Sequence, residues 1–359
     1  MQCQQERSGE MSEKHEELIK LFEEVKEQKK KIAVFLQDSP DPDAVGSAAG
    51  IHIIAEHVGV GVDIFYGGEI SHPQNQVLVK ALQMDLQKYD RFNGHELLYG
   101  LIVFCDITSS QGKHMGNIGV KPDVVIDHHR DKPENNTKFV DIRPVGAASS
   151  IVTEYLRKMN ILQKGDEHHA RVATALFWGV KTDTNEWLSE NVSQIDEEAP
   201  RYLREYLDHD MNDRIRHFPI PDFIFECEAK AEMSKKVQSG CLTAGLGYLT
   251  PVQRDAIPVV ADRQLRRHGI STVVVFAIVG DTLHVSLRTK DDKLDEKDFL
   301  ASIFGQNDSG SKHGSGGAKV PLGVFAPDPK SPEDEKQSFW QYISEWLTRR
   351  VFEFLSERS

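Results

Sequence analysis

The sequence predicts an α/β protein in two parts, a parallel-sheet domain followed by a smaller α/β domain. Three observations predict it. At 359 residues the chain exceeds the length at which one hydrophobic core keeps growing, so two domains are expected. Short apolar runs alternate with amphipathic stretches, the pattern of strands and helices laid down in turn. In the first half the apolar runs end abruptly in acidic residues, where a parallel sheet opens its ligand crevice.

Taken in order, residues 11–31 carry apolar side chains at helical spacing among charges, an amphipathic packing helix. KIAVFL reads as a buried strand, GSAAGIHIIAEHV as a helix, VDIFY as a strand and NQVLVKALQM as a helix. LLYGLIVFC and DVVIDHH follow as apolar runs, then helical patterns near 147–159 and 170–180. Such alternation implies a parallel sheet covered on both faces. The stretch 188–240 is polar, broken by HFPIPD and without strand signals, so it reads as a helical linker. Beyond it CLTAGLGYL is a strand, 259–267 a helix, and STVVVFAIV and TLHVSLR a hairpin turning at Gly280-Asp281. A helix near 297–304 precedes GQNDSGSKHGSGGAKVPLG, either a flexible loop or one that brings backbone N–H groups onto a phosphate. An amphipathic helix closes the chain, and no internal repeat is present.

Composition narrows the class. Hydrophobic residues at 39% and charged residues at 28% are ordinary for a soluble globular protein. A formal net charge of -13 argues against gripping long duplex nucleic acid, which needs a broad basic surface, but suits a small anion held through bound cations. Cys3, Cys105, Cys227 and Cys241 form no CxxC pair, so neither a disulfide framework nor a zinc ribbon is indicated. No stretch approaches the roughly 20 apolar residues of a membrane helix, and the N-terminal residues lack the apolar core of a signal peptide. The expected setting is therefore cytoplasmic, without a membrane partner.

Four motifs fall at the C-terminal ends of predicted elements: Asp38, Asp41 and Asp43 in DSPDPDAVGS, Asp106 in FCDITSS, Asp127-His128-His129, and Asp183 in GVKTDT. Each aspartate alone has a plain reading as a helix cap or turn residue. Two adjacent imidazoles after an apolar strand are harder to explain that way, because burying them without partners is unfavourable. Together the four motifs converge beyond the strand ends, and crowded carboxylates need cations to neutralise them. Carboxylates with imidazole and no thiolate suit Mn²⁺, with Mg²⁺ or Co²⁺ as substitutes. Two such ions roughly 3.5–4 Å apart can share a carboxylate and a water and clamp phosphoryl oxygens, which is phosphate ester hydrolysis.

The ordered set PDPDAVGS, FCD, VIDHH and VKTD resembles the DHH phosphoesterase superfamily, which includes RecJ-type exonucleases, family II pyrophosphatases, nano-RNases and cyclic-dinucleotide phosphodiesterases. The resemblance implies that Asp41 binds a first metal, Asp43 and His128 a second, that Asp106 bridges both, and that Asp183 completes the second site. It implies that His129 touches the scissile phosphate or acts as acid while Asp127 orients the pair. Many relatives place a histidine four positions before the residue matching Asp41; this chain has Gln37, a poorer ligand for Mn²⁺.

Residues 241–323 resemble the DHH-associated substrate-binding domain of nano-RNases, in which an arginine and a Gly-Gly-His loop hold the far end of the substrate. The counterparts here are Arg288, His313, Gly314, Gly316 and Gly317, although Ser311-Lys312 replaces the expected glycine pair. In the first domain His72 and Asn75 occupy a polar loop that either contacts substrate or starts a helix. The expected organisation is an N-terminal helix at 1–31, a DHH catalytic domain at 32–190, a helical linker at 191–240, a DHH-associated domain at 241–328 and a C-terminal helix at 329–359. The expected activity is hydrolysis of short oligonucleotides or linear dinucleotides, extending to adenosine 3′,5′-bisphosphate, by a monomer or homodimer. Exopolyphosphatase activity, or a nucleotide-binding regulator with a weakened metal site, are the alternatives.

Overall fold

The computed structural model describes residues 2–108, 119–129, 132–133, 136–312, 314–327 and 330–356, with side chains from residue 14 onward, that of Lys312 excepted. The chain divides into two compact units, Met1–Phe218 and Pro219–Ser359.

The first unit runs α1 (Gln2–Glu27), β1 (Lys31–Asp38), α2 (Pro42–Val58), β2 (Val62–Gly67), α3 (Pro73–Leu82), β3 (Leu86–Lys88), β4 (Tyr99–Cys105), β5 (Val124–Asp127), β6 (Phe139–Ile142), α4 (Ala148–Met159), α5 (Glu167–Asp183), α6 (Gln194–Leu203) and α7 (His209–Arg216). Its strands form one parallel sheet in the order β3-β2-β1-β4-β5-β6. The order reverses between β1 and β4, so the chain leaves both strands at a switch point, where open α/β sheets bind ligands.

Alternation along the strands explains the layering. Ile32, Val34 and Leu36 of β1 and Leu101, Val103 and Cys105 of β4 turn to a core shared with α1 to α5. Ala33, Phe35 and Phe104 turn the other way, into an aromatic layer with Phe65 and Phe92. The Phe35 ring lies 5.3 Å from Phe65 and 5.0 Å from Phe92, the latter edge-on. Among the described residues this second face is covered by rings of the 89–99 segment, where helices are expected from the sequence. Large aromatics bury enough area to seal a face without a helix.

Two of the three helices in the stretch expected as a linker belong to the first unit: Leu203 of α6 and Met211 and Ile215 of α7 join its core. The third, α8 (Asp222–Ser234), packs through Ile224, Cys227 and Ala231 in the second unit.

That second unit continues with β7 (Lys236–Gln238), β8 (Cys241–Leu249), α9 (Ala256–Gln264), β9 (Thr272–Val279), β10 (Thr282–Thr289), α10 (Glu296–Phe304), β11 (Ser309–Lys312), β12 (Ser315–Pro321) and α11 (Glu333–Ser356). The sheet order is β11-β12-β10-β9-β8-β7, antiparallel except for the β8/β9 pair. Along β9, Val273, Val275 and Ala277 face α8 and α9, while Val274, Phe276 and Ile278 face α10 and α11. The glycine-rich stretch expected as a loop is in fact the β11/β12 hairpin, with Gly316 opposite Leu287 and Gly317 opposite Ser286. Such a polar pair of strands gives no apolar run to read.

In the first unit α2 and α5 pack closely because glycine stands at the crossing. A Cβ on Gly46 would lie 2.8 Å from the Ala175 carbonyl oxygen, and one on Gly179 only 2.3 Å from Ser149 Oγ and 3.0 Å from Asp43 Cα. Gly179→Ala is therefore expected to destabilise the first unit by about 1–3 kcal/mol through overpacking, read as a lower urea midpoint. An unchanged midpoint would show that the crossing has room to spare.

Candidate metal centre

The predicted acidic and histidine residues of the first unit come together at the carboxyl ends of β1, β4 and β5. β1 ends at Asp38, and Asp41 caps α2, its Oδ1 accepting the backbone N–H groups of Asp43 and Ala44 at 3.0 Å each. Asp43, inside the first turn, is fully buried. Its carboxylate accepts from Ala148 N at 2.7 Å and Ser149 N at 2.8 Å, the opening amides of α4. A helix N-terminus presents unpaired N–H groups and a positive dipole end, which is how an anion survives there.

Asp106, just past β4, is 2% exposed and has a left-handed backbone, φ 62°, that turns its carboxylate back over the strand ends. Asp127 ends β5, and its Oδ1 accepts from His128 N at 2.7 Å, His129 N at 3.1 Å and His129 Nδ1 at 2.8 Å. One buried carboxylate oxygen thereby fixes both histidines. His128 Nδ1 donates to the Val145 carbonyl at 3.2 Å, so Nε2 faces inward, 3.1 Å from Asp183 Oδ2, 3.3 Å from Asp106 Oδ1 and 3.8 Å from Asp43 Oδ2. Asp183 reaches this point from the last residue of α5. After it Asn185, Glu186 and Trp187 are all left-handed, at φ 48°, 58° and 66°. Trp187 Nε1 donates to the Asp196 carbonyl at 2.9 Å, which anchors the turn.

Neither His128 Nε2 nor Asp106 Oδ1, both buried, makes an aligned hydrogen bond, and the two face each other as an ion pair at 3.3 Å. Burial pushes the Asp43 carboxyl up to about 7, reinforced by Asp183 and Asp41 and opposed by His128. Burial likewise holds Asp106 well above the carboxylate range, with Asp43 adding to it. For His128 burial alone would lower the imidazole, but Asp106, Asp183 and Asp43 outweigh it and push it up to about 12. Oxygen and imidazole donors crowded together in this way fit a hard or borderline divalent cation. The ligand-capable atoms of Asp106, Asp127, His128 and His129, and those of Asp43, His128 and Asp183, lie within 4.8 Å of one another in each group. His129 is half-exposed, and its imidazole is raised, first by the Asp127 hydrogen bond.

Gln37 places Nε2 at 3.3 Å from Asp41 Oδ2 and 3.5 Å from Asp106 Oδ2. Asn75 Nδ2 donates to the Pro40 carbonyl at 3.4 Å, tying α3 to the Asp41 loop. His72 stands at the N-cap of α3 without a capping hydrogen bond from its side chain, and its ring lies 6.0 Å from Phe218.

In the second unit Arg288 of β10 donates from Nε to Asp262 Oδ1 at 2.5 Å and from NH1 to Ser286 Oγ and the Leu287 carbonyl, both at 3.0 Å. Gly314 N donates to Glu296 Oε1 at 2.7 Å, so that amide is already engaged. A Cβ on Gly316 would lie 2.5 Å from Leu300 Cδ1, and one on Gly317 2.9 Å from the Val285 carbonyl, so packing alone accounts for both glycines. His313 lies outside the described residues.

Sequence reasoning missed the backbone groups that complete the site: the Val145 carbonyl and the Ala148 and Ser149 amides. It also missed Asp196 of α6, buried and accepting from Gly146 N at 2.8 Å, Ser193 N at 2.8 Å and Ser193 Oγ at 2.7 Å. Asp196 holds the turn that carries Val145 and opens α4. The one signal in the sequence was the SQID string at 193–196, a capping box, which marks a helix start and says nothing of what else the aspartate binds.

Among known proteins, residues 31–180 match the DHH family, N-terminal domain. An uncharacterized protein of Methanocaldococcus jannaschii is 34% identical over 339 residues, covering 94% of this chain and 66% of that protein. The chain thus spans about two thirds of the length of the curated relative it matches. The crystal structure of an exopolyphosphatase-related protein from Bacteroides fragilis is similar with a TM-score of 0.65 at 15% identity, over 94% of this chain and 97% of that one, a likeness of fold.

Without a cation the folded state keeps protons that the unfolded chain releases: on Asp43 between the ordinary carboxylate range and about 7, and on His128 from the ordinary imidazole value up to about 12. Both make stability fall as pH rises across that span. Metal-free protein is therefore expected to melt at lower temperature at pH 8 than at pH 6, with the gain on adding Mn²⁺ larger at pH 8, because ligands must lose protons to bind. A metal-free melting temperature flat in pH would contradict this charge state.

Proposed function

Because the chain belongs to the DHH family through its domain at residues 31–180, we propose that it is a metal-dependent phosphoesterase acting on small nucleotides or short oligonucleotides. The observation that carries this reading is the buried His128 Nε2 with the carboxylates of Asp43, Asp106 and Asp183 gathered around it. In the proposed assignment Asp41 holds a first ion, Asp43, His128 and Asp183 a second, and Asp106 both, with Mn²⁺ as the ion. When bound, two such ions neutralise phosphoryl oxygens and acidify the attacking water.

The chain's own groups do the rest. Asp127 holds both backbone N–H groups and the His129 ring, and the Val145 carbonyl holds the His128 ring, so neither imidazole needs to reorient. The bond to Asp127 raises the His129 imidazole, and its half-exposed ring is the proposed donor to the leaving oxygen. Gln37, whose amide already reaches both Asp41 and Asp106, would turn its oxygen toward a cation there, a weaker donor than imidazole. In the second unit Arg288 is the proposed contact to the substrate's distal phosphate or base, a planar cation that would exchange its pairing with Asp262 for that group. His313, Gly314, Gly316, Gly317, His72 and Asn75 remain proposed substrate contacts. The net charge of -13 supports small substrates over long ones, since an acidic surface repels an extended phosphate backbone.

Asp106→Ala is expected to lose hydrolysis by more than about 1000-fold while its melting behaviour stays cooperative. Near-normal turnover in that folded variant would remove the two-metal reading. With Mn²⁺, kcat/KM should fall steeply from dinucleotides to about ten nucleotides, because a chain of net charge -13 repels an extended phosphate backbone. Adenosine 3′,5′-bisphosphate and polyphosphate belong in the same assay, and equal efficiency on long RNA would shift the reading to a processive exonuclease. Gln37→His should tighten Mn²⁺ binding, and an unchanged titration would place Gln37 away from the ions.

A further inference from the structure

A second cluster of metal-capable side chains lies at the other end of the helices that carry Asp43 and Asp183. α2 and α5 run antiparallel: Asp43 opens α2 where Asp183 closes α5, and Glu56 lies near the end of α2 where His168 begins α5. At 1.5 Å rise per residue, Glu56 is about 20 Å along α2 from Asp43. His52 and Glu56 stand four residues apart and so share one face of α2. Glu56 Oε2 is 3.6 Å from His52 Nδ1 and 3.1 Å from His168 Nε2, and the three ligand atoms lie within 4.8 Å of one another. Donors on a tetrahedral zinc at about 2.0–2.2 Å stand roughly 3.3–3.5 Å apart, so little movement separates this arrangement from a coordination sphere.

Two further facts favour a cation over a plain ion pair. His52 Nδ1 is buried with no hydrogen-bond partner, which is costly for an imidazole nitrogen unless something occupies the space before it. Burial also holds that imidazole below its ordinary value, so it stands neutral, the form a ligand must have. The side chains are 21%, 48% and 33% exposed for His52, Glu56 and His168, which leaves one side open for water as a fourth ligand.

We propose that His52, Glu56 and His168 bind one zinc-type divalent cation, with water in the remaining position, as a clasp across α2 and α5. Two imidazoles to one carboxylate favour zinc over the harder ions suited to the carboxylate-rich cluster at the far end. The site is independent of the phosphoesterase reading and stands or falls without it.

The full chain, stripped by chelator and re-equilibrated with Zn²⁺ in the presence of saturating Mn²⁺, tests it by metal analysis and thermal melting. Wild type should hold one more zinc equivalent than His168→Ala or Glu56→Gln. Its melting temperature should rise by about 5–10 °C at free zinc a hundredfold above the dissociation constant, and that rise should vanish in both variants. The response to Mn²⁺ alone should be the same in all three. Equal zinc content and equal zinc response in the variants would overturn the proposal and leave a metal-free His-Glu staple. A zinc response lost in Asp106→Ala and kept in Glu56→Gln would overturn it too, by assigning the zinc to the other cluster.

Discussion

The Asp43 carboxylate, sealed from solvent, rests on the first two amides of α4, and the rest of the first unit is shaped by keeping it there. A buried anion is tolerable only where fixed dipoles or cations replace its water. That demand sets where α2 begins, with Asp41 capping it. It demands that α5 pass close enough to deliver Asp183, which Gly46 and Gly179 permit. It also demands that the start of α4 be immobile, which Asp196 secures from α6 through the Gly146 amide. Deeper in the same unit Arg143, held between Asp141 and Glu154, gives those two carboxylates a cation of the protein's own. In the cluster around His128 the imidazole itself faces three carboxylates, and a bound cation is the proposed further counter-charge.

The plain readings of the aspartates and their chemical readings turn out to be compatible. Asp41 is a helix cap, as its type and position suggest, and Asp106 is a residue in a left-handed turn. Those local roles leave each with an oxygen directed toward its neighbours. A cap or turn fixes a short side chain better than open solvent would, so structural duty is the means by which these carboxylates are aimed.

What could be read from the sequence follows from burial. The strands of the first sheet are covered on both faces, so KIAVFL, VDIFY and LIVFC are nearly continuous apolar runs that announce themselves. β9 and β10 were equally legible with Gly280-Asp281 between them. β3, β6 and β7 are too short to carry a pattern, and β11 and β12 are built from serine and glycine, with neighbouring chain and Leu300 filling the space that side chains would. The side-chain half of the candidate site was visible as acidic motifs at strand ends. Its backbone half was not, because a carbonyl such as that of Val145 or an amide such as that of Ser149 leaves no mark on residue identity. Nor could charge counting show that α6 and α7 belong to the first core, since their few apolar residues resemble those of any solvated helix.

The cluster draws its members from residue 41 to residue 183, across β1, β4, β5 and the far end of α5. Beyond the neighbours Asp41 with Asp43 and Asp127 with His128 and His129, local contacts bring none of these together; the groups meet only when the whole unit has closed. The like-charge repulsion is therefore complete only in the closed unit, and a cation that relieves it binds the folded state. Such a ligand does little for the rate at which the chain folds and much for how long it stays folded. If the proposed cation binds, the lifetime of the first unit depends on the supply of divalent ions more than its formation does.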